Sequence, residues 1–484
     1  MNINPIYLVD AYKTGHFAQY PSGTELVFSN FTPRKSRMPS VNHSVFFGLR
    51  YFLKKYLQRG FATFFDKGNQ HRMPAFMPSD YNELIKATLG IDQRHTHIED
   101  LWALDFLPLA IYALPEGSVV PCGVPALVMY NTHPDFYWLP NMLETLLSCT
   151  LWQPCTSATI AREYRLLLDK FAEETSDMPE FVDYQAHDFS MRGMSSVESA
   201  CLSGMAHLQY FKGTDTIPAM LCQQEYYDKP LEICSVPATE HSVMSAGGKE
   251  SELETFNRLL DTYPTGILSI VSDTWDLWRV ITEYLPKLKD RIMARDGKIV
   301  IRPDSGDPAD IIAGWPCPIE VEEYGTPVQE GVIELLWEIF GGTINSKGFK
   351  QLDSHIGCIY GDSITLERCQ DICQRLAAKG FASTNIVFGV GSYTYQYNTR
   401  DTLGWAMKAT YCEINGKGHA ITKDPITDDG TKKSHSGILR VVKYPECINP
   451  KNKFSVQQNC TWDEFYDNEV NELKLVYIDG KICA

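Results

Sequence analysis

The sequence predicts an α/β protein built around a parallel β/α barrel, with a second mixed α/β unit assembled from the two ends of the chain. Three observations lead there. At 484 residues the chain is long enough for one large barrel with a second domain attached. Short apolar or β-branched runs at 181–189, 207–215, 233–241, 267–273, 299–304, 356–362 and 386–391 each end in a polar cluster. Between most of these runs lies a helix-length segment, such as 195–208 and 276–287, and that alternation is the pattern of βα units on a parallel sheet.

In chain order, 25–31 reads as a strand and 46–56 as a helix, so residues 1–150 are expected to form a mixed α/β unit of their own. Residues 151–394 hold the alternating runs and make up the barrel domain. The interval from Asp304 to Ile356 is too long for one βα unit. It contains Trp315-Pro316-Cys317-Pro318 and then the helical pattern 332–340, which predicts an elaborated loop and a helix. After the last run, 408–412 and 439–442 read as strands with Lys and Gly around them, so residues 395–484 are expected to pack back and complete the first unit. No repeat, low-complexity tract or heptad array interrupts this order. The carboxyl ends of the strands of a parallel barrel converge on one mouth, so polar clusters there are expected to carry chemistry while the apolar runs fill the core. Taken singly, each cluster also fits a polar turn.

Composition removes several classes of function. Hydrophobic residues at 44 % and charged residues at 21 % are the proportions of a globular chain rather than of a disordered or membrane-spanning one. The opening Met1-Asn2-Ile3-Asn4-Pro5 has neither a basic leader nor a signal-length apolar run, and no later stretch approaches a membrane span. A cytoplasmic protein with no membrane partner is expected. A formal charge of -16 argues against nucleic acid as a partner, since such binding needs a basic face, and an anionic substrate would need a local basic pocket. The 14 cysteines form no C-x-x-C pair and no zinc-spaced group, so they read as reduced core thiols, with Cys369 and Cys373 on one helix face. His95 and His97 form an H-x-H without a third ligand nearby, which reads as a surface loop. No side chain is assigned directly to a metal.

Phosphates need fixed cations or backbone N–H groups. Both follow the last barrel run, where Gly389-Val390-Gly391-Ser392 makes a small-residue loop ahead of Arg400, Lys408 and Lys423. Arg302-Pro303-Asp304-Ser305-Gly306 puts a cation and a carboxylate together at a strand end, where a sugar phosphate could be held by its charge and its hydroxyls; a turn tied by an internal ion pair fits as well. In Ser235-Val236-Pro237-Ala238-Thr239-Glu240-His241-Ser242 an imidazole stands just beyond a strand beside a carboxylate able to set its tautomer. Such a histidine can be a base, a nucleophile or simply structural.

Several of these segments, in order, resemble the nicotinamide phosphoribosyltransferases. They are His187-Asp188-Phe189-Ser190-Met191-Arg192-Gly193, Phe211-Lys212-Gly213-Thr214-Asp215, the 235–242 run, Val271-Ser272-Asp273, Arg302-Pro303-Asp304-Ser305-Gly306, Tyr360-Gly361-Asp362 and Thr399-Arg400-Asp401. Asp10-Ala11-Tyr12-Lys13 near the start and Lys423-Asp424-Pro425 near the end extend the likeness over about residues 8 to 440. The resemblance implies a type II phosphoribosyltransferase fold, an irregular β/α barrel beside a mixed α/β domain. It also implies a head-to-tail homodimer with shared active sites and a role in NAD salvage.

The same resemblance implies roles. Phe189 is similar to the aromatic residue that stacks on the pyridine ring, with Tyr12 of the partner subunit on the other face. Arg302 matches the residue that meets the carboxamide oxygen, and Asp215 the one that accepts from its nitrogen. Asp215 thereby separates nicotinamide, which offers an NH2, from nicotinate, the acceptor of the neighbouring family and the alternative reading. Ser235 belongs with these substrate-binding residues. Arg192, Gly391 and Ser392 resemble the binders of the ribose phosphate of phosphoribosyl pyrophosphate, with Asp304, Gly361 and Asp362 near the ribose hydroxyls. Arg34, Arg400, Lys408 and Lys423 match the basic residues around pyrophosphate and the ATP phosphates. Mg²⁺ is expected to arrive with pyrophosphate. His241 matches a histidine phosphorylated by ATP as co-substrate, with Asp273, Asp276 or Glu240 placed either to orient it or to hold a metal through water.

The chain departs from the animal members at Gly391-Ser392-Tyr393, where they carry a run of glycines, so Tyr393 is expected to narrow the pocket mouth. The 432–437 segment also holds fewer cations than theirs. A non-catalytic binding protein on the same fold is the alternative outside the enzymes, and the retained His, Asp and Arg at converging strand ends speak against it.

Overall fold

The computed structural model describes residues 3–67, 77–90, 96–315, 326–423, 434–444 and 453–483. His95, the 316–318 tripeptide, Asp424, Pro425, Lys432 and Lys433 lie outside the described residues. Among the described residues no helix is long and apolar enough to cross a membrane.

Two compact units divide the chain. The first comprises Met1–Thr159, Glu225–Asp228 and Asn398–Ala484, and the second Ile160–Gln224 and Lys229–Tyr397. The 32-residue helix Glu144–Thr175 passes from one into the other.

The first unit is organised by an antiparallel sheet in the order Lys417–Ala420, Trp405–Ile414, Thr24–Pro33, Leu127–Asn131, Leu109–Ala113, Lys474–Ile478, Lys481–Ile482. The strand expected at 25–31 is Thr24–Pro33, whose residues from Val27 onward are all buried, as in a strand covered on both faces. Both carboxy-terminal segments read as strands are strands, Trp405–Ile414 and Ile438–Lys443, and the first pairs with Thr24–Pro33, setting Lys408 opposite Asn30. The helix expected at 46–56 starts late, at Leu49, and becomes π-helical over Leu53–Gly60. Gly48 is the cause: it sits at φ 101°, and a Cβ there would lie 2.8 Å from Pro154, so the chain must turn before it can coil.

In the second unit, Gly213–Thr214, Ala186–Asp188, Ile386–Val390, Ile356–Tyr360, Asp296–Arg302 and Thr265–Val271 lie side by side, every pair parallel. These strands form the expected irregular β/α barrel. The 233–241 run, expected as a regular strand, is not one. It spans the gap between the two edges through a few backbone bonds: Thr214 N–H donates to the Cys234 carbonyl, Ser269 N–H to Pro237, and Thr239 N–H to Ser269. Pro237 has no N–H to give, which breaks the ladder there.

Two other runs are shorter than expected. Residues 181–185 are helical, begun by Pro179 at the first position of a 3₁₀ turn, and His207 closes the helix Val197–His207 with both ring nitrogens engaged, by Tyr395 Oη at 2.7 Å and the Gly213 carbonyl at 3.0 Å. Helices follow the strands as expected. Leu277–Arg279 opens a continuous helical stretch that ends at Met293, Val332–Phe340 is the helix expected in the long interval, and Leu366–Ala378 buries Cys369 and Cys373 together.

Along Asp296–Arg302 the pleat sorts the side chains. Ile299 and Ile301 are fully buried, whereas Lys298 and Val300 line a cavity of about 490 Å³ inside the barrel and Arg302 reaches its mouth. Because the strands are parallel, Phe189, Asp215, Asp273, Asp304, Gly361, Asp362 and Gly391 all follow carboxyl ends and Arg302 closes one, while His241 follows the irregular 233–241 run.

Candidate active site

A cavity of about 190 Å³ at this mouth is lined by Phe189, Arg192, Asp215, Arg302, Asp304, Gly361, Asp362, Gly391, Ser392 and Tyr393, with Ser190, Gly193 and Ser363. Ten residues singled out by the sequence thus meet in one pocket, and Tyr393 stands at its rim as expected, 59 % exposed.

Phe189 is fixed by its backbone. Its N–H donates to the Val390 carbonyl at 2.9 Å, and the ring lies against Gly389, where a Cβ would come within 2.7 Å of it. The Arg302 guanidinium stands 5.7 Å from the ring centroid, within cation–π range. Arg302 is itself confined, with a side chain only 12 % exposed, Nη1 donating to the Thr239 carbonyl at 3.4 Å and a buried Nε that has no partner among the described residues. Arg302 lines the pocket with its guanidinium also 3.8 Å from Asp304 Oδ2.

Asp215 is set by the neighbouring strand end. Asp188, fully buried, accepts Asp215 N–H on its carbonyl and ties Ser190 N–H and Thr214 Oγ1 to its carboxylate. The Asp215 carboxylate then takes His187 Nε2 at 3.0 Å and Ser235 Oγ on the same oxygen, Oδ1. Burial pushes its pKa up, but these two hydrogen bonds and the nearby Arg302 charge outweigh it, so Asp215 titrates below the ordinary carboxylate value.

Carboxylates crowd the opposite wall. Asp273 Oδ2 accepts Asp304 N–H at 2.8 Å and Ser305 Oγ at 2.6 Å, while its buried Oδ1 has no partner among the described residues. Burial, then the charges of Asp273 and Asp362, raise the Asp304 pKa against the pull of Arg302 and His241. Gly361 lets this happen: a Cβ there would meet Asp304 Oδ1 at 2.6 Å.

His241 starts the helix His241–Ser245 and is half-exposed, with Nε2 3.8 Å from Asp304 Oδ2. Its Nδ1 faces Thr274 Oγ1 at 3.2 Å. The three carboxylates expected beside it each have another partner in the structure. Glu240 accepts from Ser242 Oγ, Asp276 caps the helix Leu277–Arg279 through Arg279 N–H at 3.1 Å, and Asp273 holds the Asp304 backbone.

The remaining expected residues belong to the first unit. Tyr12 and Lys408 line a second cavity, of about 420 Å³, with Lys13, His16, Tyr20 and Glu144 among its walls. Glu144 anchors it. Lys13 Nζ, buried, bonds Glu144 Oε2 at 2.6 Å, and Lys408 Nζ lies 3.9 Å from Oε1. Burial lowers the Lys408 pKa, with Glu144 opposing and the cations Arg34, Lys13 and Arg400 adding to the effect. Arg34 Nε bonds the Gly404 carbonyl at 3.1 Å, Arg400 pairs with Asp401 at 3.4 Å, and the Lys423 backbone pairs with Ser434.

Sequence reasoning gave no role to His187, Thr274, Lys13 or Glu144. His187 was within reach, because strand alternation puts it on the same face as Phe189. Thr274 and Glu144 carry no signal outside the folded chain.

Two solved structures share the architecture: nicotinate-nucleotide pyrophosphorylase of Pyrococcus furiosus and human nicotinic acid phosphoribosyltransferase. Both align with TM-score 0.54 over 98 % of this chain and 90 % of theirs, at 14 % and 15 % identity. The likeness defines the fold, that of the type II phosphoribosyltransferases. The family model described as the nicotinate phosphoribosyltransferase (NAPRTase) family matches residues 184–473, and the model of the nicotinamide phosphoribosyltransferase N-terminal domain matches residues 4–65. Proteins named nicotinamide phosphoribosyltransferase are similar along nearly the whole length. That of Acinetobacter baylyi is 47 % identical, covering 99 % of this chain and 95 % of its own, and that of Mycoplasma pneumoniae is 37 % identical, covering 88 % and 93 %. The chain belongs to the nicotinamide phosphoribosyltransferase family.

Proposed function

We propose that the chain joins nicotinamide to phosphoribosyl pyrophosphate, forming nicotinamide mononucleotide and pyrophosphate in NAD salvage. The observation that carries this choice of acceptor is the Asp215 carboxylate, held below the ordinary carboxylate pKa and lining one cavity with the Phe189 ring and Arg302. A carboxamide presents an oxygen to Arg302 and an N–H to Asp215. Nicotinate would set a second anionic oxygen against Asp215.

The pyridine nitrogen is the nucleophile. As its lone pair forms the C–N bond at the anomeric carbon, the bond to pyrophosphate breaks and the leaving group takes the electron pair. Phe189 holds the ring flat, with Tyr12 of the partner subunit on its other face in a head-to-tail homodimer. Arg192 and the Gly391-Ser392 backbone hold the ribose phosphate, and Asp304 with Asp362 hold its hydroxyls. Arg34, Arg400, Lys408 and Lys423 meet the pyrophosphate and the ATP phosphates, where fixed cations lower the cost of the departing charge. Among the described residues no group of three or more His, Cys, Asp and Glu surrounds a common metal position. Asp304 and Asp362, hard oxygen donors lining the mouth, are the residues that would hold Mg²⁺ through water, and the ion would supply charge neutralisation at pyrophosphate.

His241, exposed beside Asp304, suits phosphorylation by ATP, which would couple ATP hydrolysis to the transfer. Purified protein given nicotinamide, phosphoribosyl pyrophosphate and Mg²⁺ should form the mononucleotide, faster with ATP, and should discriminate against nicotinate. Equal or better use of nicotinate would sink the assignment. His241→Ala should lose the ATP stimulation and keep basal transfer; stimulation that persists removes His241 from the mechanism.

A further inference from the structure

His187 has no part in the transfer just described, yet its imidazole is bonded to Asp215. Two neighbours fix its ring. Gly213, its partner in the parallel ladder, leaves room for it, since a Cβ there would lie 2.7 Å from His187 Nδ1. On another side the Phe189 ring stands 4.6 Å away. Between them the ring points Nε2 toward Asp215, at 3.0 Å, where Ser235 Oγ joins it on Oδ1. Asp215 Oδ2 has no hydrogen bond among the described residues. A carboxylate saturated on one oxygen and open on the other has lost its freedom to rotate and presents one acceptor in one direction.

We infer that His187 is a positioning residue for acceptor choice: with Ser235 it locks Asp215 Oδ1, so that Oδ2 alone is offered to the carboxamide N–H of the pyridine substrate. This rests on the nicotinamide reading above and deepens it. Specificity then depends on a group that need not touch the substrate. Without the imidazole, Asp215 would keep only the flexible Ser235 hydroxyl and would swing away from the Phe189 face.

The test uses the full-length enzyme, with nicotinamide and nicotinate as competing acceptors. His187→Leu should raise the nicotinamide KM about tenfold or more, change kcat much less, and lower the nicotinamide-to-nicotinate ratio of kcat/KM in step, as expected for a lost hydrogen bond to a charged group. His187→Gln, whose amide N–H can reach the place of Nε2, should restore most of both. In an Asp215→Asn background His187→Leu should cost less than about threefold more, because its effect passes through the carboxylate. Should His187→Leu fail to fold, Gly213→Ala carries the test, since its Cβ displaces the imidazole and must lower the nicotinamide preference. An unchanged KM and ratio in His187→Leu or Gly213→Ala, or an equal penalty in the Asp215→Asn background, overturns the inference. If the unaltered enzyme itself fails to use nicotinamide, the fault lies instead with the proposed function.

Discussion

Asp215 shows how much a single carboxylate can be asked to do and what it needs in order to do it. Its depressed pKa means the anionic form persists below the ordinary value of 3.8, so nicotinamide KM should stay flat as pH falls from about 8 to about 5. A rise in KM with a midpoint inside that window would show that Asp215 is not held as described. Asp215→Asn should raise the nicotinamide KM about tenfold to a hundredfold while costing nicotinate far less, measured as kcat/KM for each. The residues of this mouth were legible in the sequence because Phe189, Asp215, Asp304 and Asp362 each follow a strand and Arg302 ends one, and parallel strands deliver their ends to one mouth. What orients them was not. Thr274 facing His241, and Glu240, Asp276 and Asp273 turned to other partners, follow from side-chain directions that spacing along the chain does not encode.

Among the elements, the strands with many ladder bonds were the ones the sequence announced. Thr265–Val271, Asp296–Arg302, Ile356–Tyr360 and Ile386–Val390 lie within a few residues of the runs that predicted them. Residues 181–185 and His207 misled because apolar content alone does not separate a strand from a packed helix end. Close packing between strand ends also constrains glycine. A Cβ at Gly389 would stand 2.7 Å from the Phe189 ring and 2.9 Å from the Gly361 Cα, so Gly389→Ala should force the stacking ring out of place. The expected result is lost transfer activity with a stability loss of about 1–3 kcal/mol, read by thermal melting beside the activity assay.

Glu252, at the start of the helix Glu252–Thr262, is 2 % exposed and its buried Oε1 has no partner among the described residues. Burial pushes its pKa up to about 7 from 4.5, with Asp276 adding to the shift and Arg279 and Lys249 opposing it. Between those values the folded state keeps a proton that the unfolded state has released, so stability falls as pH rises through the window. Glu252→Gln cannot ionise. Its stability relative to the unaltered chain should therefore improve by about 1–3 kcal/mol between pH 5 and pH 8, checked by urea unfolding at both. A difference independent of pH would show that Glu252 titrates normally.

At the scale of the whole molecule, a net charge of -16 is reconciled with anionic substrates by concentrating cations locally, as Lys13, Arg34, Arg400 and Lys408 do in the first unit. The proposed head-to-tail dimer makes Tyr12 act on the partner's pyridine. Tyr12→Ala and Asp215→Asn, each poorly active alone, should then recover activity when their subunits are unfolded, mixed and refolded together, since half of the dimers carry one intact site. About a quarter of full activity is expected from equal mixing. No recovery in a mixture shown to contain mixed dimers would place Tyr12 and Asp215 in the same subunit's site.

The stave at 233–241 gives the barrel an unequal stiffness. Elsewhere the ring is held by regular parallel ladders, but this segment hangs between its neighbours on bonds at Cys234, Pro237 and Thr239. Sparse bonding of this kind lowers the free energy of local opening, so its amides should exchange with solvent sooner than those of Asp296–Arg302. Ser235, which clamps Asp215, and His241, beside Asp304, sit near opposite ends of this one compliant segment.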